Sequence, residues 1–135
     1  MNPAEYAEAL DLEELNHDLR KTFVRALDFV MGEASRCEQE HGFGTQTPVE
    51  DIALMHSELS EALEEMRSPA GRKINETYYN PEKPTKPEGV PAELADVVIR
   101  ILGFCERNEI ALGDAIVEKM AYNESRPYMH GGKKF

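Results

Sequence analysis

A chain of 135 residues carrying 26 Asp and Glu against 15 Lys and Arg, for a formal charge of -11, has the size of one domain with its own core. That balance excludes a protein that grips nucleic acid by neutralising its phosphates, so a phosphate ligand would need a metal cation as intermediary. Cys37 and Cys105 stand far apart without Cys-x-x-Cys spacing, which excludes a disulfide framework or a zinc knuckle.

In chain order, Leu12, Leu15, Leu19, Phe23, Ala26 and Val30 recur at steps of three and four and predict an amphipathic helix from Leu12 to about Glu40. Asn2, Pro3 and Glu5, and again Asp11 and Glu14, have the form of helix starts, so a short leading helix is expected before the long one. "HGFGTQTP" then breaks the pattern with glycine and proline. Thr47, Pro48 and Glu50 supply a cap, a first-turn proline and a capping-box acid for a second helix. Its expected buried stripe is Ile52, Met55, Leu59, Ala62 or Leu63, and Met66. Residues 68–89, "SPAGRKINETYYNPEKPTKPEG", hold four prolines and two glycines without helical period, and read as a loop insertion.

A third helix starts at Val90 or Pro91 and sets Leu94, Val97, Val98, Ile101, Leu102 and Cys105 on one face; as the most apolar segment it is expected to be the most buried. A fourth runs from about Leu112 through Ile116, Val117 and Met120 towards Tyr122 and ends before Pro127. Residues 127–135 form an irregular tail, and no alternating pattern of useful length predicts a strand. The expected architecture is a single all-α domain over residues 1–135, a four-helix bundle. The apolar third helix implies that a homodimer or homotetramer completes its core. No apolar run approaches the roughly 20 residues of a membrane span, and the opening "MNPAEYAEALDLEEL" is acidic where a signal peptide is basic, so a cytoplasmic protein with no membrane and no nucleic-acid partner is expected.

The acids carry the chemistry. At about 100° per residue, Glu58, Glu61 and Glu65 fall together roughly 80 to 140° from the second helix's stripe, on its rim, and Glu93 and Asp96 roughly 100 to 160° from the third's, on the same rotational side. Each helix thus offers an acid pair at i and i+3. Four converging carboxylates repel unless neutralised, and an oxygen-only ligand set suits Mg²⁺ or Mn²⁺. The plainer alternative is that both pairs are solvated helix faces. Lys119, Asn123 and Arg126, spaced by four and three, can project together towards phosphate or sugar oxygens, or simply complement the carbonyl end of the helix dipole.

Other chemistries find less support. Glu14 with His17 and Glu38 with His41 repeat a Glu-x-x-His pattern, but on one helix and about 36 Å apart, where a di-iron centre needs two facing helices. There is no Gly-x-Ser-x-Gly elbow, no Gly-rich phosphate loop, and no cysteine with a neighbouring histidine to activate it. His56 and His130 stand alone.

"ELSE" within "HSELSEALEEMR", then "ELAD" within "PAELADVVIRILGF", then "IVEKMAYNESRPYMHGG" resemble the Glu-x-x-Glu, Glu-x-x-Asp and Lys, Asn, Arg segments of the MazG-like all-α nucleoside triphosphate pyrophosphohydrolases. The resemblance covers roughly residues 45 to 131. Ser57 stands where many members carry a further glutamate, and Ala92 likewise precedes Glu93. The 31 residues between Glu61 and Glu93 exceed the usual interval by the proline-rich insertion. The resemblance implies hydrolysis of a nucleoside triphosphate to the monophosphate and pyrophosphate. It implies Mg²⁺, or Mn²⁺, held by Glu58, Glu61, Glu93 and Asp96, with Glu58 or Glu61 as the catalytic group that receives a proton from the attacking water. Lys119, Asn123 and Arg126 would bind the substrate. Members differ in base preference, so base and sugar stay open; Phe23, Phe29, Phe43, Tyr78 and Tyr79 are the stacking candidates, with Phe23 and Phe29 expected in the core. The competing expectation is a non-catalytic helical oligomerisation or interaction protein with an acidic surface.

Overall fold

The computed structural model describes residues 2–134, and the side chains of all of these except 3–15 and 130. Helix α1 runs unbroken over Pro3–Glu40, which corrects the expectation of a separate leading helix. The stretch around Asp11 is rich in Ala, Leu and Glu and holds no Gly or Pro, so nothing there stops a helix already begun at Pro3. Leu12 and Leu15 of its stripe lie outside the described side chains, whereas Leu19, Phe23 and Val30 are exposed.

Helix α2, Pro48–Arg67, opens on the expected capping box. The Glu50 amide donates to the Thr47 hydroxyl at 3.3 Å and the Thr47 amide donates to the Glu50 carboxylate at 2.7 Å, satisfying two of the donors a helix start leaves open. Thr47→Ala is expected to cost about 1 kcal/mol, measurable as a shift of the urea midpoint.

The insertion is not structureless. Strands β1, Tyr78–Asn80, and β2, Lys83–Glu88, pair antiparallel with Tyr78 opposite Glu88 and Tyr79 opposite Pro87. Asn80 Oδ1 accepts from the Glu82 amide at 3.1 Å and closes the turn. A two-stranded ribbon has only edges, which is where a strand tolerates Pro84 and Pro87. Helix α3 spans Val90–Arg107, α4 Leu112–Glu124, and a single turn, α5, lies at Met129–Gly132 within the tail. Among the described residues no helix is long and apolar enough to cross a membrane.

The chain divides into two compact units, Met1–Val30 with Ala111–Phe135, and Met31–Ile110. In the first, α4 approaches α1 at Gly113, where a Cβ would stand 3.1 Å from the Val24 Cα. In the second, α2 and α3 pack antiparallel, with Asp51 meeting Arg107 at one end and Glu58 meeting Arg100 further along. Helix α3 does bury the most, through Val90, Glu93, Leu102, Gly103 and Cys105. The expected stripe of α2 holds at Ala62, which is buried, and is corrected elsewhere: Ile52, Leu59, Leu63 and Met66 are exposed, as are Leu94 and Val98 of α3, while Asp51 is buried. The acids therefore line the seam itself. They are tolerated there because they find partners. Arg107 donates to both oxygens of Asp51 at 2.9 Å and also to Glu38 of α1; Arg100 Nε donates to Glu58 at 2.6 Å; the Tyr78 hydroxyl donates to Glu65 at 3.0 Å. Cross-helix donors offset the repulsion that so many like charges would otherwise produce along one helix.

Candidate metal centre

Glu58, Glu61 and Glu65 stand at i, i+3 and i+7 on α2 and form one row. Helix α3 brings Glu93 and Asp96, one turn apart, against the first part of that row. One carboxylate oxygen from each of Glu58, Glu93 and Asp96 lies within 4.8 Å of the others. Glu61, exposed on α2, adds its charge beside Glu93.

Glu93 is buried, and its Oε2 is a buried side-chain atom with no hydrogen-bond partner, alone in this among the described residues. Leaving a carboxylate oxygen in that state costs at least ~1–3 kcal/mol. Burial pushes the Glu93 carboxyl up to about 7, and Glu61, Asp96 and Glu58 push it the same way. Burial also raises Asp96, as does Glu58, against the pull of Arg100 and Lys86. Along this seam Asp51 and Glu58 have arginine partners and Glu65 a tyrosine, whereas Glu61, Glu93 and Asp96 have no ion-pair partner among the described residues. Negative charge is thus left unmatched at one level of the helix pair. An all-carboxylate donor set with an orphaned buried oxygen fits a hard divalent cation.

Two cations stand beside the cluster. Arg100 follows Asp96 by four, hence on the same face, and this spacing is visible in "ELADVVIR"; its partner Glu58, 42 residues away, is not. Lys86 arrives on β2: its Nζ lies 3.3 Å from Glu88, and Glu88 first, then Glu93 and Glu61, hold it above the ordinary lysine range. Only the hairpin reveals it.

Lys119, Asn123 and Arg126 belong to the other compact unit. There Lys119 Nζ lies 4.8 Å and Arg126 Cζ 5.8 Å from the centre of the Tyr122 ring, so both cations lie against one aromatic ring. Asn123 is exposed beside them.

The remaining candidates are reduced by their surroundings. Cys37 does have a histidine neighbour, His41, with Sγ and Nδ1 3.8 Å apart, contrary to the expectation that no cysteine has one. The same Nδ1 lies 2.8 Å from the Cys37 carbonyl oxygen, which can only accept, so this nitrogen carries a proton and is no base for the thiol. Glu38 is held by Arg107. His17 and His56 are exposed, and the side chains of Glu14 and His130 lie outside the described residues. Phe23 and Phe29, expected in the core, are 41% and 69% exposed. No protein family, curated protein or solved structure compared with the chain matches it.

Proposed function

We propose that this chain is a metal-dependent nucleoside triphosphate pyrophosphohydrolase of the MazG-like four-helix type, cleaving a (deoxy)nucleoside triphosphate to the monophosphate and pyrophosphate in the cytoplasmic nucleotide pool. The observation that carries this reading is the cluster of Glu58, Glu93 and Asp96 with its orphaned Glu93 oxygen. These three, with Glu61 beside them, would hold Mg²⁺ or Mn²⁺. A bound ion supplies positive charge for the triphosphate and a more acidic water. Glu58 is engaged by Arg100, whereas Glu61 is exposed and without an ion-pair partner among the described residues, so Glu61 is the better acceptor for a water proton. The sequence resemblance alone would assign Lys119, Asn123 and Arg126 to the substrate's phosphate and sugar oxygens.

Incubation with each nucleoside triphosphate and Mg²⁺ is expected to yield pyrophosphate and monophosphate in equal amounts, to stop on chelation, and to fall about 10² to 10⁴-fold in Glu61→Gln, the range for loss of a general base. Orthophosphate as product, or full activity in Glu61→Gln, would contradict the assignment.

Ile52, Leu59, Leu63 and Met66 of α2 with Leu94 and Val98 of α3 are each 44–54% exposed, an apolar surface of the kind that marks an interaction site. It supports a homodimer or homotetramer. Sedimentation is expected to give a multiple of the chain mass, reduced to the monomer by Leu59→Lys with Val98→Lys; a monomeric native protein would refute self-association. The same surface is what favours the second reading, a non-catalytic helical interaction protein. That reading predicts association without hydrolysis.

A further inference from the structure

We propose that residues 68–89 form the base-binding half of this site, and that the cavity they close receives the ring of a pyrimidine nucleoside triphosphate. The inference rests on the pyrophosphohydrolase reading and adds to it the substrate class and the residues that select it.

The cavity, of about 160 Å³, is lined by Glu65 and Met66 of α2, Arg72 and Ile74 of the segment before β1, and Gly89 and Val90 at the start of α3. It continues the carboxylate row. Glu65 lies four residues beyond Glu61 and Val90 three before Glu93, about 6 Å and 4.5 Å along their helices at 1.5 Å per residue. A nucleotide with its phosphates at the carboxylates would therefore reach the cavity across its ribose.

The walls are held in place. Gly89 has φ 106°, and a Cβ there would stand 2.5 Å from the Glu76 carbonyl oxygen, so the segment before β1 lies directly on the start of α3 and only glycine permits it. Glu65 accepts from the Tyr78 hydroxyl at 3.0 Å, and the Arg72 guanidinium carbon lies 3.6 Å from the centre of the Tyr78 ring. The guanidinium is backed on one side by this ring. Its free face is a flat, cationic surface of the sort on which nucleobases stack. A cavity of about 150 Å³ accommodates benzene, so the enclosed part of this open-mouthed cleft matches a single six-membered ring rather than a fused purine.

The hairpin also serves the other end of the substrate. Lys86 on β2, its Nζ 3.3 Å from Glu88 at the end of the strand that runs into α3, puts a cation for a polyphosphate on the same ribbon as Tyr78. Tyr78 on β1 backs the base wall and Lys86 on β2 faces the phosphates, so one ribbon spans both.

The test is calorimetric titration of the full chain with Mn²⁺ alone, with inorganic tripolyphosphate, and with the α,β-imido analogues of dUTP, dCTP, dATP and dGTP. The native protein is expected to bind the pyrimidine analogues at least tenfold more tightly than the purine ones. Arg72→Ala and Ile74→Trp, both at exposed positions, are each expected to weaken pyrimidine binding at least tenfold while leaving Mn²⁺ and tripolyphosphate unchanged. Lys86→Ala is expected to weaken every polyphosphate alike. Unaltered pyrimidine binding in both cavity variants, preference for purines, or equal losses for Mn²⁺ and nucleotide would overturn the inference and leave the pyrophosphohydrolase reading standing. Mn²⁺ binding by a native protein that takes none of the analogues would overturn both.

Discussion

Arg107→Met is expected to cost the chain about 3–5 kcal/mol in urea denaturation, the range for removing one partner of a buried ion pair. Arg107 and Asp51 are 14% and 8% exposed at the side chain, and the same guanidinium also reaches Glu38, so one residue ties α1, α2 and α3 together. Its removal leaves two carboxylates in the seam without a counter-charge. Two comparisons make the cause visible. Arg36 also holds two acids, Glu33 and Glu40, but on the open surface of α1, and Arg36→Met is expected to leave the midpoint nearly unchanged. Replacing Arg107, Asp51 and Glu38 together by apolar residues of similar volume is expected to restore much of the loss. A loss in Arg107→Met no greater than in Arg36→Met would show that the triad does not hold the three helices.

Glu93→Gln is expected to make the metal-free protein more stable at pH 8 and to abolish its response to metal. The folded-state carboxyl of Glu93 is raised from 4.5 to about 7. As pH rises between these values the unfolded chain releases this proton while the folded chain keeps it, so this group's contribution to stability falls with pH. The contribution is most favourable below about pH 4.5 and is lost once the folded form ionises above about pH 7. At 1.36 kcal/mol per unit, discounted for relaxation of the surroundings around the ionised carboxylate, the difference amounts to about 2 kcal/mol. Native protein and variant should therefore melt alike near pH 4 and diverge in favour of the variant by pH 8. Millimolar Mg²⁺ should reverse that order by binding the folded native protein alone. Parallel melting curves across the range would show that Glu93 bears no such burden.

These effects arise at residues whose roles were unevenly legible in the sequence. The α2 start was readable because Thr47, Pro48 and Glu50 interact within one turn. The acid pairs were readable because i and i+3 share a face in any helix. Periodicity says which residues share a face but not which face is covered. That is why Ile52, Leu59 and Met66 were expected inside, and why Asp51 and Glu65, with their donors on α3 and β1, were not expected in the seam. Those donors depend on antiparallel register: Arg107 meets Asp51 across 56 positions and Arg100 meets Glu58 across 42. The hairpin was missed for a related reason. Its strands are too short to alternate audibly against four prolines, and their pairing, closed by Asn80 and Glu82, is seen only when both are placed.

The measurement that bears most directly on the carboxylate cluster is a Mn²⁺ titration of the native protein beside Asp96→Asn, at neutral pH and low salt. Saturable binding by the native chain is expected, with at least tenfold weaker binding by a variant that retains its fold and its Arg107 contacts. Absence of binding by the native protein, or equal binding by the variant, would contradict a metal centre at Glu58, Glu93 and Asp96.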